Sequence, residues 1–172
     1  MNPDFPGFNT LHPFNCKFVN DDLNNIPVKE NQIKEILEVD GIDNFDRIVR
    51  ICDLYIEPYK FLTSKSVTKP DVCFLIIPSK IYRRFSSIPY KGGKFFNLRR
   101  YLKAQLITAP NAIPVQIILE DTLIGTKKSL QDLSMQAWNF TVANYYKNNG
   151  TPWTLTLKDK HTCFIGISSI EY

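Results

Sequence analysis

The chain of 172 residues contains no apolar run of about 18 residues and no hydrophobic export segment near its start, so neither a membrane-spanning helix nor a secretory signal is expected. A cytoplasmic location, with no membrane partner, follows as the expectation. Metal-ligand chemistry is equally sparse. The four cysteines, Cys16, Cys52, Cys73 and Cys163, form no C-x-x-C pair, and His12 and His161 are the only imidazoles. This disfavours a structural zinc site and leaves the cysteines as buried free thiols in a reducing compartment. There is no G-x-S-x-G elbow and no H-E-x-x-H helix, and His161 beside Cys163 reads as structural. The only glycines in the central segment, in Lys91-Gly-Gly-Lys94, make neither G-x-G-x-x-G nor G-x-x-x-x-G-K-[ST], which disfavours dinucleotide and Walker-type phosphate cradles. The last absence is of negative charge. Residues 80–103 hold Lys80, Arg83, Arg84, Lys91, Lys94, Arg99, Arg100 and Lys103 with no Asp or Glu, whereas the rest of the chain has 13 basic against 17 acidic residues. The basic surplus therefore sits in one segment, as an anion-binding face would require.

What is present suits one domain. An apolar content of 44%, with 13% aromatics, is enough for a core. The first thirty residues, interrupted by Pro3, Pro6, Pro13 and Pro27, read as an extended lead-in. A short helix is predicted over Glu30 to Val39. A second is capped at Asp43 or Asn44 and runs to about Leu62, with Phe45, Ile48, Val49, Cys52, Tyr55 and Ile56 on one face and Pro58 as a kink or early stop. Val72 to Ile77, closed by Pro78, is an unbroken apolar run of strand length, suited to a strand buried on both faces of a parallel sheet. A helix over Asn97 to Ile107 and a strand over Ile113 to Leu119 complete a βαβ unit. A third long helix is expected from Ser129 to Asn149, stopping at Gly150, with strands at Thr154-Leu-Thr-Leu and Cys163-Phe-Ile-Gly-Ile. The fold class is α/β: a Rossmann-like domain with a mainly parallel central sheet flanked by helices.

Within that unit Arg99 and Lys103 stand four apart, on the same face of a helix, where two cations could hold one terminal phosphate. The helix start near Asn97 would add unpaired backbone N–H groups. Gln116 is an uncharged amide amid apolar strand residues and needs a polar partner. Lys147 follows an apolar stretch that includes Trp138, Phe140, Val142, Tyr145 and Tyr146. Taken alone, Arg99 and Lys103 also read as a solvated helix face, and Lys147 as a cation at a helix C-terminus.

The order Asn97-Leu-Arg-Arg-Tyr-Leu-Lys-Ala, then Ile113-Pro-Val-Gln-Ile-Ile, then Gln136 to Trp153, preceded by Pro70-Asp71-Val-Cys-Phe-Leu-Ile-Ile-Pro, closely resembles the MID domain of prokaryotic Argonautes across residues 43–172. The resemblance implies that Arg99, Lys103, Gln116 and Lys147 bind the 5′-phosphate of a guide strand, RNA or DNA. Arg99 stands where many members have an aromatic residue and would also stack on the first base. The loop Ser79 to Tyr82, including Lys80, would lie beside that base, with Arg100 and Asn139 as further nucleic-acid contacts. Ala143 departs from members that place a polar contact one turn before the lysine. In several members Mg²⁺ joins the phosphate to a chain-terminal carboxylate; the residues here leave that cofactor open and assign no metal ligands.

The organisation implied is a lead-in over 1–42, a guide-end binding domain over 43–160, and the opening strand of a PIWI-like portion over 161–172. Ser168 stands where active members carry their first metal-binding aspartate, and a hydroxyl does not replace that carboxylate; Glu171 alone does not rebuild the site. The expectation is a binding module without cleavage activity, part of a short or inactive Argonaute. It would work with a PIWI portion of the same or a companion chain and a separate effector in nucleic-acid-guided defence. The break at this strand points to a piece of a longer protein. Two readings compete with it. One is a scaffold with a decayed pocket that docks a partner protein, and the other is an enzyme acting on a small phosphorylated metabolite.

Overall fold

A computed structural model describes residues 4–7, 19, 22–65, 70–125 and 132–150. After a short 3-10 turn at Asp22–Asn24, helix α1 (Glu30–Glu38) leads into the long α2 (Asn44–Lys65). Asp43 starts α2 as the spacing predicts, its carboxylate accepting from Asp46 N at 2.8 Å. The junction is held by Arg47, whose guanidinium donates to the carbonyls of Leu37, Val39 (2.7 Å) and Ile42 (3.2 Å). Those carbonyls would otherwise lack partners where α1 ends. α2 runs past Pro58 to Lys65, so the proline neither stops nor shortens it. Its buried face is wider than the predicted stripe: Ile51 and Tyr59 join Ile48, Cys52, Tyr55 and Ile56, all 8% exposed or less. Ile33 of α1 is 3% exposed and belongs to the same core, so the chain is built into the fold from residue 30 onward.

Strand β1 (Cys73–Ile77) pairs in parallel with β4 (Val115–Leu119), Phe74 opposite Gln116 and Leu75 opposite Ile117. Between them come helix α3 (Ser79–Phe85), an antiparallel hairpin of β2 (Ser87–Tyr90) and β3 (Lys94–Asn97), and helix α4 (Leu98–Ile107). Helix α5 (Glu120–Ile124) follows β4, and α6 (Leu133–Lys147) closes the described chain. This is an α/β fold, a two-stranded parallel sheet flanked by helices with a separate hairpin. The further strands expected after Pro152 lie outside the described residues.

Two expectations need correction. Ser79 to Tyr82 is the start of α3, not a loop: Pro78 precedes a helix whose Ile81 and Phe85, four apart, are both 1% exposed or less. Proline ends a strand, but it suits a helix start equally well because the missing N–H has no partner there anyway. Nor is β1 buried on both faces, since Ile76 is 49% exposed while Leu75 and Ile77 are buried. The hairpin was also unforeseen, although Gly92 and Gly93, at φ +74° and +73°, supply the left-handed turn that Lys91-Gly-Gly-Lys94 announces.

Tyr59 ties α2 to the entrance of β4. Its buried hydroxyl donates to Ile113 O at 3.0 Å and accepts from Ile113 N at 2.9 Å. Tyr59→Phe strands both backbone groups and is expected to lower unfolding free energy by about 1–3 kcal/mol, read as a shift of denaturant midpoint without a change of slope.

Candidate anion site

Side chains alternate across a strand, so Gln116, Ile118, Phe74 and Ile76 share one face of the sheet, and Leu75, Ile77 and Ile117 the other. Helix α6 covers the Gln116 face. The Phe140 ring stacks on Phe74 with centroids 5.4 Å apart and planes at 30°. Two helical turns later Lys147 returns to the same stripe. Its ammonium donates to Val115 O at 2.9 Å and to Gln116 Oε1. Lys147 therefore bridges to β4 instead of capping carbonyls of its own helix.

The end of α6 fixes where that ammonium starts from. Asn149, not Gly150, takes the left-handed conformation (φ +61°), while Gly150 N donates to Tyr145 O at 2.8 Å and Asn149 N to Tyr146 O at 3.1 Å. This is a Schellman closure with Lys147 as the last helical residue. Gly150 is required for a different reason than predicted: a Cβ there would meet the Tyr145 ring at 2.5 Å.

Helix α4 brings the other two cations. Leu98, Leu102 and Leu106 are 1% exposed or less and clamp it to the core, so Arg99 and Lys103 fall together on the adjacent face. Arg99 is half-buried and Lys103 exposed. Their charges are felt at Lys147, whose pKa is held below the ordinary lysine value first by burial, then by Lys103, then by Arg99. Charges influence one another over about 10 Å at moderate salt, so the three cations share one neighbourhood. Among the described residues none of the three has a carboxylate partner.

The chemistry of the cluster is that of an anion receptor. Lys147 commits two of its three protons to Val115 and Gln116 and keeps one. Gln116 gives its carbonyl to Lys147, which leaves its amide protons for an acceptor. Arg99 and Lys103 contribute only donors. The helix N-terminus adds less than expected, because Asn97 Oδ1 already accepts from Arg100 N at 3.0 Å. A divalent metal finds little here: Mg²⁺ takes oxygen ligands, and the one side-chain oxygen of the four, Gln116 Oε1, is engaged by Lys147.

The remaining candidates lie elsewhere. Ser79 is buried and turned inward, its N donating to Glu120 Oε2 at 3.1 Å and its Oγ accepting from Asp121 N at 2.9 Å. That link sits past the C-terminal end of β4, about 13 Å along the strand from Gln116. Lys80 pairs with Glu30, and Arg83 with Asp121 at 2.6 Å, so the part of the basic segment on α3 is largely neutralised. Tyr82 packs against the core. Arg100 is exposed on α4 beside Arg99. Asn139 is exposed on α6, two turns and about 12 Å before Lys147.

Sequence reasoning missed Thr141 and Asn144, which stand six and three residues before Lys147 on α6. They are 2% and 4% exposed, and Thr141 Oγ1 and Asn144 Oδ1 have no hydrogen-bond partner among the described residues. Nothing in an apolar helix pattern marks them, since both residues are common on solvated faces. Cys52 and Cys73 are free thiols, pushed up by burial to about 12 and about 11, so both stay protonated at neutral pH.

Compared with protein-family models and with curated proteins, the chain matches none. No helix among the described residues is long and apolar enough to cross a membrane.

Proposed function

We propose that this chain anchors the 5′-phosphorylated end of a single-stranded guide nucleic acid, the role of an Argonaute MID domain, and has no cleavage activity of its own. The observation that carries the reading is the convergence of Arg99, Lys103, Gln116 and Lys147, drawn from three elements, into one cluster with no neutralising carboxylate among the described residues. Like charges repel at a cost to the fold, and a dianionic terminal phosphate would repay it by forming charge-assisted hydrogen bonds with each of them. A 5′-hydroxyl would leave the cations unpaired, so the end itself is selected. The PIWI portion and a separate effector remain the partners this role implies, in a cytoplasmic defence system.

The test is binding of a short labelled strand carrying a 5′-phosphate or a 5′-hydroxyl, at one fixed salt concentration because backbone binding varies steeply with salt. The phosphorylated strand should bind at least ~10-fold more tightly, about 1.4 kcal/mol, and Lys103→Ala should remove the difference. Lys103 is exposed, so its loss should leave stability within about 0.5 kcal/mol of wild type.

One observation favours the scaffold reading. Lys147 already has internal partners in Val115 and Gln116, as a lysine kept only to pin α6 to β4 would. Equal binding of the two strands by the wild-type chain would select that reading.

A further inference from the structure

Resting on the guide-anchoring reading, we propose that the β2–β3 hairpin is a stacking arm for the bases of the same strand, with Phe95 as its platform. Ile88, Tyr90 and Phe96 lie on the inner face of the hairpin by strand alternation. Phe45 holds that face, its ring 4.3 Å from Tyr90 and 5.3 Å from Phe96, and Tyr101 of α4 closes on Phe96 at 5.1 Å. The arm is therefore seated on α2 and α4 and is not a loose loop. The outer face carries the cross-strand pair Pro89 and Phe95, both exposed, with Phe95 at 70%.

A lone exposed aromatic needs no explanation, but this one has three attributes of a single-strand platform. Its partner Pro89 widens the apolar plate. Arg100 just beyond it is exposed and has no carboxylate partner among the described residues. No acidic residue occurs anywhere in 80–103, so the surface suits a polyanion and opposes a basic protein. The arm also runs directly into α4, and Phe95 precedes Arg99 by four residues. Their Cα atoms can be no more than about 14 Å apart, a span of roughly four stacked nucleotides. A strand held by its end at the cluster passes within reach of the plate.

The experiment compares the full chain with Phe95→Ala and Phe95→Trp, using a 5′-phosphorylated ten-nucleotide strand, the same strand made abasic at its first four positions, and inorganic phosphate. Phe95→Ala should weaken the normal strand by about tenfold, leave the abasic strand and inorganic phosphate unchanged, and be rescued by Phe95→Trp. Phe95 is 70% exposed, so its truncation removes no core residue, and circular dichroism checks that the alanine variant is folded. Equal loss for normal and abasic strands, or no loss for either, overturns the stacking arm. A change in sedimentation without a change in strand binding also overturns it and assigns the plate to protein contact. These outcomes are independent of Lys103→Ala, which tests the phosphate cluster alone.

Discussion

Lys147→Met is expected to erase selection for a phosphorylated end, lowering the affinity ratio of 5′-phosphate over 5′-hydroxyl strands by at least ~10-fold. A hydrogen bond to a charged group contributes about 1.5–3 kcal/mol, and Lys147 is half-buried, with burial the first cause that lowers its pKa. Methionine keeps the length and apolar body of the stem, so packing against β4 persists. Two effects on stability then oppose each other. Val115 O and Gln116 Oε1 lose their donor, while the charge that burial, Lys103 and Arg99 all disfavour is removed. The net change should stay within about 1 kcal/mol, so thermal melting separates a binding defect from a folding one.

The same pKa shift sets a pH dependence. The folded pKa of Lys147 is lowered, so the protonated form penalises the folded state at all lower pH, and stability from this group rises as pH climbs from the folded value towards the unfolded one. Phosphate selection runs the opposite way, since it needs the ammonium. It should fade as pH rises through a value below the ordinary lysine range, and Lys147→Met should lack that step.

Leu102→Ala carries the largest expected loss of stability, about 2–5 kcal/mol, because a fully buried leucine leaves a cavity that the core fills only in part. For a chain of this size that corresponds to a fall in Tm of roughly 5–20 °C. Leu102→Met, which nearly conserves volume, should cost less than about 1.5 kcal/mol. Leu102 stands between Arg99 and Lys103 on α4, and the packing of its stripe is what aims both cations. Leu102→Ala should therefore also weaken phosphate selection at temperatures where the chain remains folded, whereas an exposed substitution such as Gln105→Ala should not.

How much of this was legible varies with the range of the interaction. The helix starts at Asp43 and Asn97, the strands at Cys73–Ile77 and Val115–Leu119, and the end of α6 near Gly150 follow from caps, apolar runs and turn residues a few positions apart. Pro78 can both end a strand and start a helix, and only burial of Ile81 and Phe85 decides that Ser79–Phe85 is helical. The Gly-Gly turn of the hairpin is visible in Lys91-Gly-Gly-Lys94, but its two four-residue strands are held by Phe45 and Tyr101, which no local pattern joins to them. Among the site residues, Arg99 and Lys103 could be paired from their spacing alone. The surroundings of Ser79, Lys80 and Tyr82 are not legible from spacing, because their partners Glu120, Glu30 and the core are distant in sequence.

The sequence by itself determined an α/β chain with one acid-free basic segment and two cations on one turn of α4, since composition and short-range periodicity are properties of neighbouring residues. Only the tertiary structure decided that Lys147 meets Gln116 across 31 positions, and that two of the three basic residues of α3 are paired with acids while none of those on α4 is, among the described residues. Those outcomes depend on which face of the sheet α6 covers and which acids α1 and α5 carry to α3, and no local pattern encodes either.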